Sequence, residues 1–402
     1  MELRYGEDSV LQLDPSECPA RCNSFGLAGR SDEEELRHKI ELALDEPIDF
    51  PPLDAILLPD DRVTIALTGD CPASDSVAAA LVLRLVQSDV TTDRITLLQP
   101  LGASDPRERL PESWRDEIER IESDPENADQ FACLGSDDQG EPYAVHRALF
   151  DADLILPIET IGRTWTGDYF GVHSGLYPAF SDQQTIRLFR SVGAMKEGPT
   201  REQLLAKVET AAQLLGAAVS ITIVPGTSDS VGELLIGEAR KVAAAARQLY
   251  DDSWYETVES PAELVVATIE GCRAAQTWRN VGRALEEAVS LVEEGGSIVL
   301  CTELDTPPGE GLELLTREIP HDIVVDHIRQ VRPADIYTTL QMIEALKTST
   351  IYFKGKLEDD VVESLNMISI QDETELRRLI DRFESCILLN NAPLVDIWIE
   401  ED

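Results

Sequence analysis

The residues of this chain most able to bind a metal or move a proton are five histidines, His38, His146, His173, His321 and His327, and seven cysteines. Their spacing offers little of either chemistry. Cys18 and Cys22 stand at a separation zinc ligands can have, but no second Cys or His pair follows at a matching distance. The other five, Cys71, Cys133, Cys272, Cys301 and Cys386, are scattered as reduced, buried thiols are. His38 falls on a charged helical segment, His146 beside an apolar strand, and His321 and His327, six apart, share no helix face. His173 alone lies in a glycine-rich loop, TIGRTWTGDYFGVHSGLYPAF, which is long and aperiodic as functional loops are. Three carboxylates after strand ends or in that loop, Asp70, Glu159 and Asp168, are acid/base candidates. Their alternative is the solvated loop carboxylate, the commoner fate of such residues.

Regular elements must position these groups. DRVTIALTGD, RITLLQPLG, ADLILPIE and AVSITIVPG read as continuous buried strands, and helices alternate with them at Ser74 to Gln87, over PESWRDEIERIES, and at about Arg201–Leu215. An opening hairpin, ELRYGEDSVLQLDP, and a helix from Ser31 precede them. A second alternating block starts near Pro261 with ELVVATIEG, a helix from Gln276, GSIVLCTEL and TIYFKGKL. The expected class is α/β, in two domains (1–255 and 256–402), each a mainly parallel sheet flanked by helices, with a cleft between them. Ligands in such sheets lie beyond the carboxyl ends of the strands. The first strand ends in Thr68-Gly69-Asp70-Cys71-Pro72, so there is no dinucleotide fingerprint, and no phosphate-binding Gly-Lys-Ser/Thr loop occurs anywhere.

Charge narrows the partners. There are 76 acidic and 34 basic residues, a net charge of −42, and only seven of the bases are lysines. Such a field repels nucleic-acid phosphates and anionic lipid surfaces. No apolar run reaches the ~18–20 residues of a membrane helix, and no leader pattern opens the chain. A cytoplasmic protein is expected.

The order of Tyr5-Gly6 in a first hairpin, EPIDFPPL, DRVTIALTGDCP, RITLLQPLGASDP, DADLILPIE and the loop with SGLYP and SDQQTI resembles the nickel-dependent lactate racemase family, and EEGGSIVL extends the likeness into the second domain. The resemblance implies an isomerase, a racemase or epimerase of a 2-hydroxy acid. Its nickel-pincer nucleotide, tethered to a lysine, would take a hydride from Cα. Two histidines would serve the hydroxyl, a third would hold nickel, and Arg, Gln and Lys would hold the carboxylate.

Carried over residue by residue, the resemblance puts Ser104 and Thr164 at the catalytic histidine positions, with His173 close by. Ser174 falls at the tethering lysine, Arg190 at the nickel histidine, Cys71 at the arginine beside Asp70, and Asn280 and Arg283 at the Gln and Lys. Serine cannot replace a lysine amine as a tether, and arginine keeps its proton and ligates no metal. Two readings follow. One is the family's isomerase with its cofactor. The other is an inactive homologue in which Asn280, Arg283, Arg190, Asp70 and His173 bind a small anionic organic acid or phosphate, with no cofactor.

Overall fold

The computed structural model describes residues 2–13, 21–26, 33–58, 60–69, 71–163, 167, 169–228, 230–317 and 319–400. The chain opens with a hairpin, β1 (Glu2–Tyr5) and β2 (Ser9–Gln12), and a strand β3 (Arg21–Phe25). β4 (Val63–Leu67) carries five successive buried residues, VTIAL, which suits a strand covered on both faces. β5 (Ile95–Pro100) and β6 (Glu119–Ser123) extend the sheet to one side. A small antiparallel hairpin, β7 (Phe131–Ser136) and β8 (Pro142–His146), stands apart. β9 (Leu154–Thr160), β10 (Val219–Pro225) and β11 (Val231–Glu238) then extend it to the other side, in the order β11-β10-β9-β4-β5-β6. Only the β10–β11 pair is antiparallel.

The second half supplies β12 (Tyr255–Val258), β13 (Ala262–Thr268), β14 (Val292–Cys301), β15 (Thr350–Lys354), β16 (Ile368–Ser369), β17 (Ser385–Leu389) and β18 (Asp396–Ile399). Its six-stranded sheet, β16-β15-β14-β13-β17-β3, is parallel throughout, and β12 pairs with β18 separately. Each large sheet reverses its winding once, between β4 and β9 in the first and between β13 and β17 in the second. The loops beyond these strands form the two switch points where such sheets open a crevice.

The structure departs from the sequence reading in four places. EIERIES, expected to continue a helix, is edge strand β6, and the helix before it covers only Glu112–Arg115. Ile118 and Ile121, three apart, suit one helix face, and pairing with β5 overrides that spacing, the Glu and Arg side chains blunting the edge. Residues 231–238 form β11, and the Ala-rich helix after them begins at Ala239. A short helix, Asp359–Ser364, was not anticipated. The division at residue 255 is also incomplete. β3 is the outer strand of the second sheet, and Leu3, Leu11 and Leu13 of the first hairpin pack with Leu264, Val266, Val299 and Leu388 on it.

One hydrophobic core runs through the domain junction. Val224, Ala246, Tyr250 and Trp254 join Val265, Ala267, Val281, Ala284 and Ile397 in it. Trp254 is fully buried, and its indole N–H donates to the Pro225 carbonyl at 2.9 Å.

Candidate ligand-binding site at the domain junction

Helix Gln183–Phe189 is capped by Asp182, whose carboxylate accepts from Thr185 N at 2.9 Å, and it delivers Arg187 and Arg190 at its carboxyl end. Cations suit that end of a helix. Helix Trp278–Leu291 starts at Thr277, whose hydroxyl accepts from Asn280 N at 3.2 Å, and it presents Arg279, Asn280 and Arg283 over its first two turns. The two ends meet at the junction. Arg332, from the second domain, donates to the Arg187 carbonyl at 3.1 Å. Asn280 donates to the Ala275 carbonyl at 2.8 Å and accepts from Arg283 at 3.3 Å.

Arg190 is the unusual member. Half-buried, its guanidinium makes no hydrogen bond or ion pair with any described residue. Burial, and then the like charges of Arg279 and Arg187, pull its pKa below the ordinary arginine value, and only Asp335 acts the other way. The Asp335 carboxylate is itself engaged, accepting from Gly311 N and Leu312 N at 2.9 Å each. A partly desolvated cation among like charges is stabilised by any anion that reaches it.

The junction is held beside this cluster by a buried ion pair. Arg163 reaches Glu287 at 2.5 Å, the two side chains being 7% and 1% exposed. The second Glu287 oxygen accepts from Ile397 N at 2.7 Å. Burial pushes the Glu287 carboxyl up to about 7 against the pull of Arg163. For Arg163, burial works to lower the pKa, and Glu287 more than offsets it.

The structure brings together only some of the residues singled out from the sequence. Arg190 feels Arg279, which neighbours Asn280 and lies one turn before Arg283 on the same helix. His173 is not with them. Its imidazole is buried, with Nδ1 unpartnered, and it lines a cavity of about 260 Å³ with Glu209, Gln213, Glu238 and Arg240. Burial lowers its pKa, Glu209 and Glu238 opposing and Arg240 assisting. Ser174 donates to the Gly171 carbonyl at 2.5 Å, and Ser104 to Asp75 at 2.8 Å on an exposed surface. Cys71 is buried in the first core. Asp70, Thr164, Asp168, Cys18 and Ser31 lie outside the described residues. Sequence reasoning missed Arg187, Arg279 and Arg332. The only signal was their nearness in sequence to Arg190 and Asn280.

A larger cavity, about 810 Å³, opens between hairpin β7–β8 and the helices Gln183–Phe189 and Pro199–Leu214, over Tyr143 and Tyr177. Its two cations are engaged, Lys207 by Asp137 and Arg332 by the Arg187 carbonyl. Arg190 has no such partner among the described residues.

The donors that the sequence resemblance puts at the cofactor positions do not fit a nickel-pincer nucleotide. Ser174 has no amine to tether it and Arg190 no lone pair to offer a metal. Among the described residues no three His, Cys, Asp or Glu side chains gather as a metal site. No described helix is long and apolar enough to cross a membrane.

Two mainly parallel sheets, each with a switch point and flanked by helices, and a core shared between them define an α/β protein. Residues 19–199 match the family described as Lactate racemase N-terminal domain. That stretch is similar to the amino-terminal domain of lactate racemases. Among solved structures the chain is similar to the lactate racemase apoprotein from Thermoanaerobacterium thermosaccharolyticum, with a TM-score of 0.80 and 15% identity over 99% of both chains. A crystal structure of a Thermotoga maritima protein is also similar, with a TM-score of 0.63 and 12% identity over 91% of this chain and 98% of that one. At such identities the likeness is one of fold. No curated protein matches the sequence.

Proposed function

We propose that this lactate racemase-like protein binds a small organic carboxylate or phosphate at the domain junction and does not carry out nickel-pincer hydride transfer. The observation that carries the reading is Arg190, a half-buried guanidinium with no partner among the described residues and with Arg187 and Arg279 acting on it. Its planar fork suits a carboxylate or phosphate bidentately. The amino-terminal end of helix Trp278–Leu291 adds positive partial charge on the facing side. Arg283, steadied by Asn280, lies one turn further along that helix.

Thermal shift and calorimetry with D- and L-lactate, malate and inorganic phosphate test the reading. At least one anion should raise the melting temperature at millimolar concentration. Arg190→Ala should weaken its binding by roughly 1.5–3 kcal/mol, the range for a hydrogen bond to a charged group. No shift with any of them, or shifts unchanged in Arg190→Ala, would refute it. The match of residues 19–199 to the lactate racemase N-terminal domain favours a second reading, isomerisation of a 2-hydroxy acid. Stoichiometric nickel in the purified protein, with interconversion of lactate enantiomers, would put that reading in its place.

A further inference from the structure

At the switch point of the first sheet, beneath the turn formed by residues 171–177, lies a carboxyl group with no counterpart in the proposed anion site. Glu159, near the end of β9, is 2% exposed, and both of its oxygens lack any hydrogen-bond partner. Thr222 stands opposite it on β10. Thr68 follows β4 on the other side, and the Thr68 hydroxyl donates to the Ile158 carbonyl at 3.2 Å instead of to the carboxyl. The turn closes from above. A Cβ placed on Gly175 would stand 2.8 Å from Glu159 Cγ and 2.8 Å from Thr68 Cγ2, so the turn sits on the carboxyl with no room for a side chain. Leu176 and Phe180, both fully buried, continue the cover over Ala66, Leu98 and Ile155.

None of the described elements packed against Glu159 brings it a cation. β4 offers Thr68, β10 offers Thr222, and the turn offers Gly175 and the buried His173, whose charged neighbours are Glu209, Glu238 and Arg240. The glycine-rich loop also offers Tyr169, whose hydroxyl is held by Arg247, and Tyr169 feels Glu159 as an added negative charge. Arg247 is committed to that tyrosine, to the Gly162 carbonyl and to Asp251. An ionised carboxylate in such a place would lose its hydration and gain nothing in return, so the closed arrangement accommodates only the neutral acid.

We propose that the uncharged Glu159 carboxyl is the seat of the 171–177 turn, and that a charge on this carboxyl lifts the turn and opens the switch point of the first sheet. The turn carries His173 and Ser174, so the protonation of one buried acid sets whether that part of the loop is docked. Below the ordinary carboxyl value of about 4.3, the acid is neutral whether the turn is seated or lifted, and docking is at full strength. Above that value the lifted form ionises while the seated form keeps its proton, since burial holds the seated carboxyl well above its usual range. Each pH unit in this window then favours the lifted form about tenfold, until the seated form ionises too.

Hydrogen exchange of peptides covering 171–180, compared at matched pH between wild type and Glu159→Gln, reads this opening. At pH 4, below the ordinary carboxyl value, the two proteins should exchange alike. At pH 9 the wild-type segment should exchange at least tenfold faster than in the variant, whose side chain cannot ionise. Glu159→Leu guards against a misfit of the amide and should also stay closed at pH 9. Infrared difference spectra of wild type against Glu159→Gln at pH 7 should contain the carbonyl band of a protonated carboxylic acid. Equal exchange in all three proteins at pH 9 would overturn the proposal, as would a carboxylate band at pH 7. The anion site plays no part in these readouts, so their outcome is independent of it.

Discussion

The two large sheets handle a buried acid at the switch point in opposite ways. In the first, Glu159 has no hydrogen-bond partner and a glycine turn pressed onto it. In the second, Glu270 follows β13, and its Oε2 accepts from both Ser228 N and Ser228 Oγ, at 3.2 and 2.9 Å. Ser228 belongs to the turn between β10 and β11, so the first domain supplies the partner for the second domain's acid. The backbone N–H of Glu270 donates to Asn391 at 3.4 Å, and the first hairpin crosses above, Gly6 bridging to Glu270. A third buried acid, Glu287, has the strongest partner of all in Arg163. The acids of the second domain thus fasten the domains together, while that of the first domain faces only its own loop. Ionisation of the former is compatible with the folded junction; ionisation of the latter is not.

The comparison breaks most visibly at Arg163. Arg163→Met leaves Glu287 buried without its cation and should cost about 3–5 kcal/mol in urea denaturation. The double variant Arg163→Met, Glu287→Leu should recover most of this, because an apolar pair of similar volume replaces a desolvated ion pair at little net cost. If the single variant loses under 1 kcal/mol, the pair does not hold the junction and the contrast with Glu159 weakens.

Ser228→Ala is a smaller probe of the same contrast. It removes the hydroxyl from Glu270 while keeping the backbone N–H contact, and should destabilise by about 1–3 kcal/mol, the cost of depriving a buried polar group of one partner. The loss should be visible in the denaturation midpoint. A neutral outcome would mean that Glu270, like Glu159, needs no partner.

How far these features were legible in the sequence follows from how local their causes are. β4, β9, β10 and β13 are continuous apolar runs, and the helix read at Ser74–Gln87 has those same limits in the structure. β6 and β11 were not legible, since Ile118 and Ile121 have helical spacing and 231–238 run on into the next helix; strand pairing across the sheet settled both. The docking of β1–β3 on the second sheet depends on contacts hundreds of residues away, such as Cys22 beside Cys386, and no local pattern announces it. At the site, Arg190, Asn280 and Arg283 were readable by type and position. Arg187 and Arg279 become neighbours only because two helix ends meet across the junction. His173 looked like their companion because it shares the glycine-rich loop, but its turn directs the imidazole toward Glu209, Glu238 and Arg240. Glu159 was visible as an acid at a strand end; its isolation was not, because that depends on what packs over it.

The finest distinction lies between two hydroxyls, each beside a buried acid. Ser228 donates to its carboxylate, whereas Thr68, in contact distance of the Gly175 turn above Glu159, gives its hydrogen bond to the Ile158 carbonyl at 3.2 Å. Thr68→Val keeps the branched shape and removes only that bond, from a strand carbonyl that also receives the Thr68 backbone N–H at 3.4 Å. The carbonyl therefore retains a donor, and the loss should stay within about 0.5–1 kcal/mol, the net value of one neutral hydrogen bond. The same small loss should appear at pH 6 and at pH 9, since the hydroxyl serves neither form of Glu159. A loss of several kcal/mol that grew with pH would show that Thr68 turns to stabilise an ionised Glu159. The first acid would then have a hidden partner, and the difference between the two switch points would be one of degree.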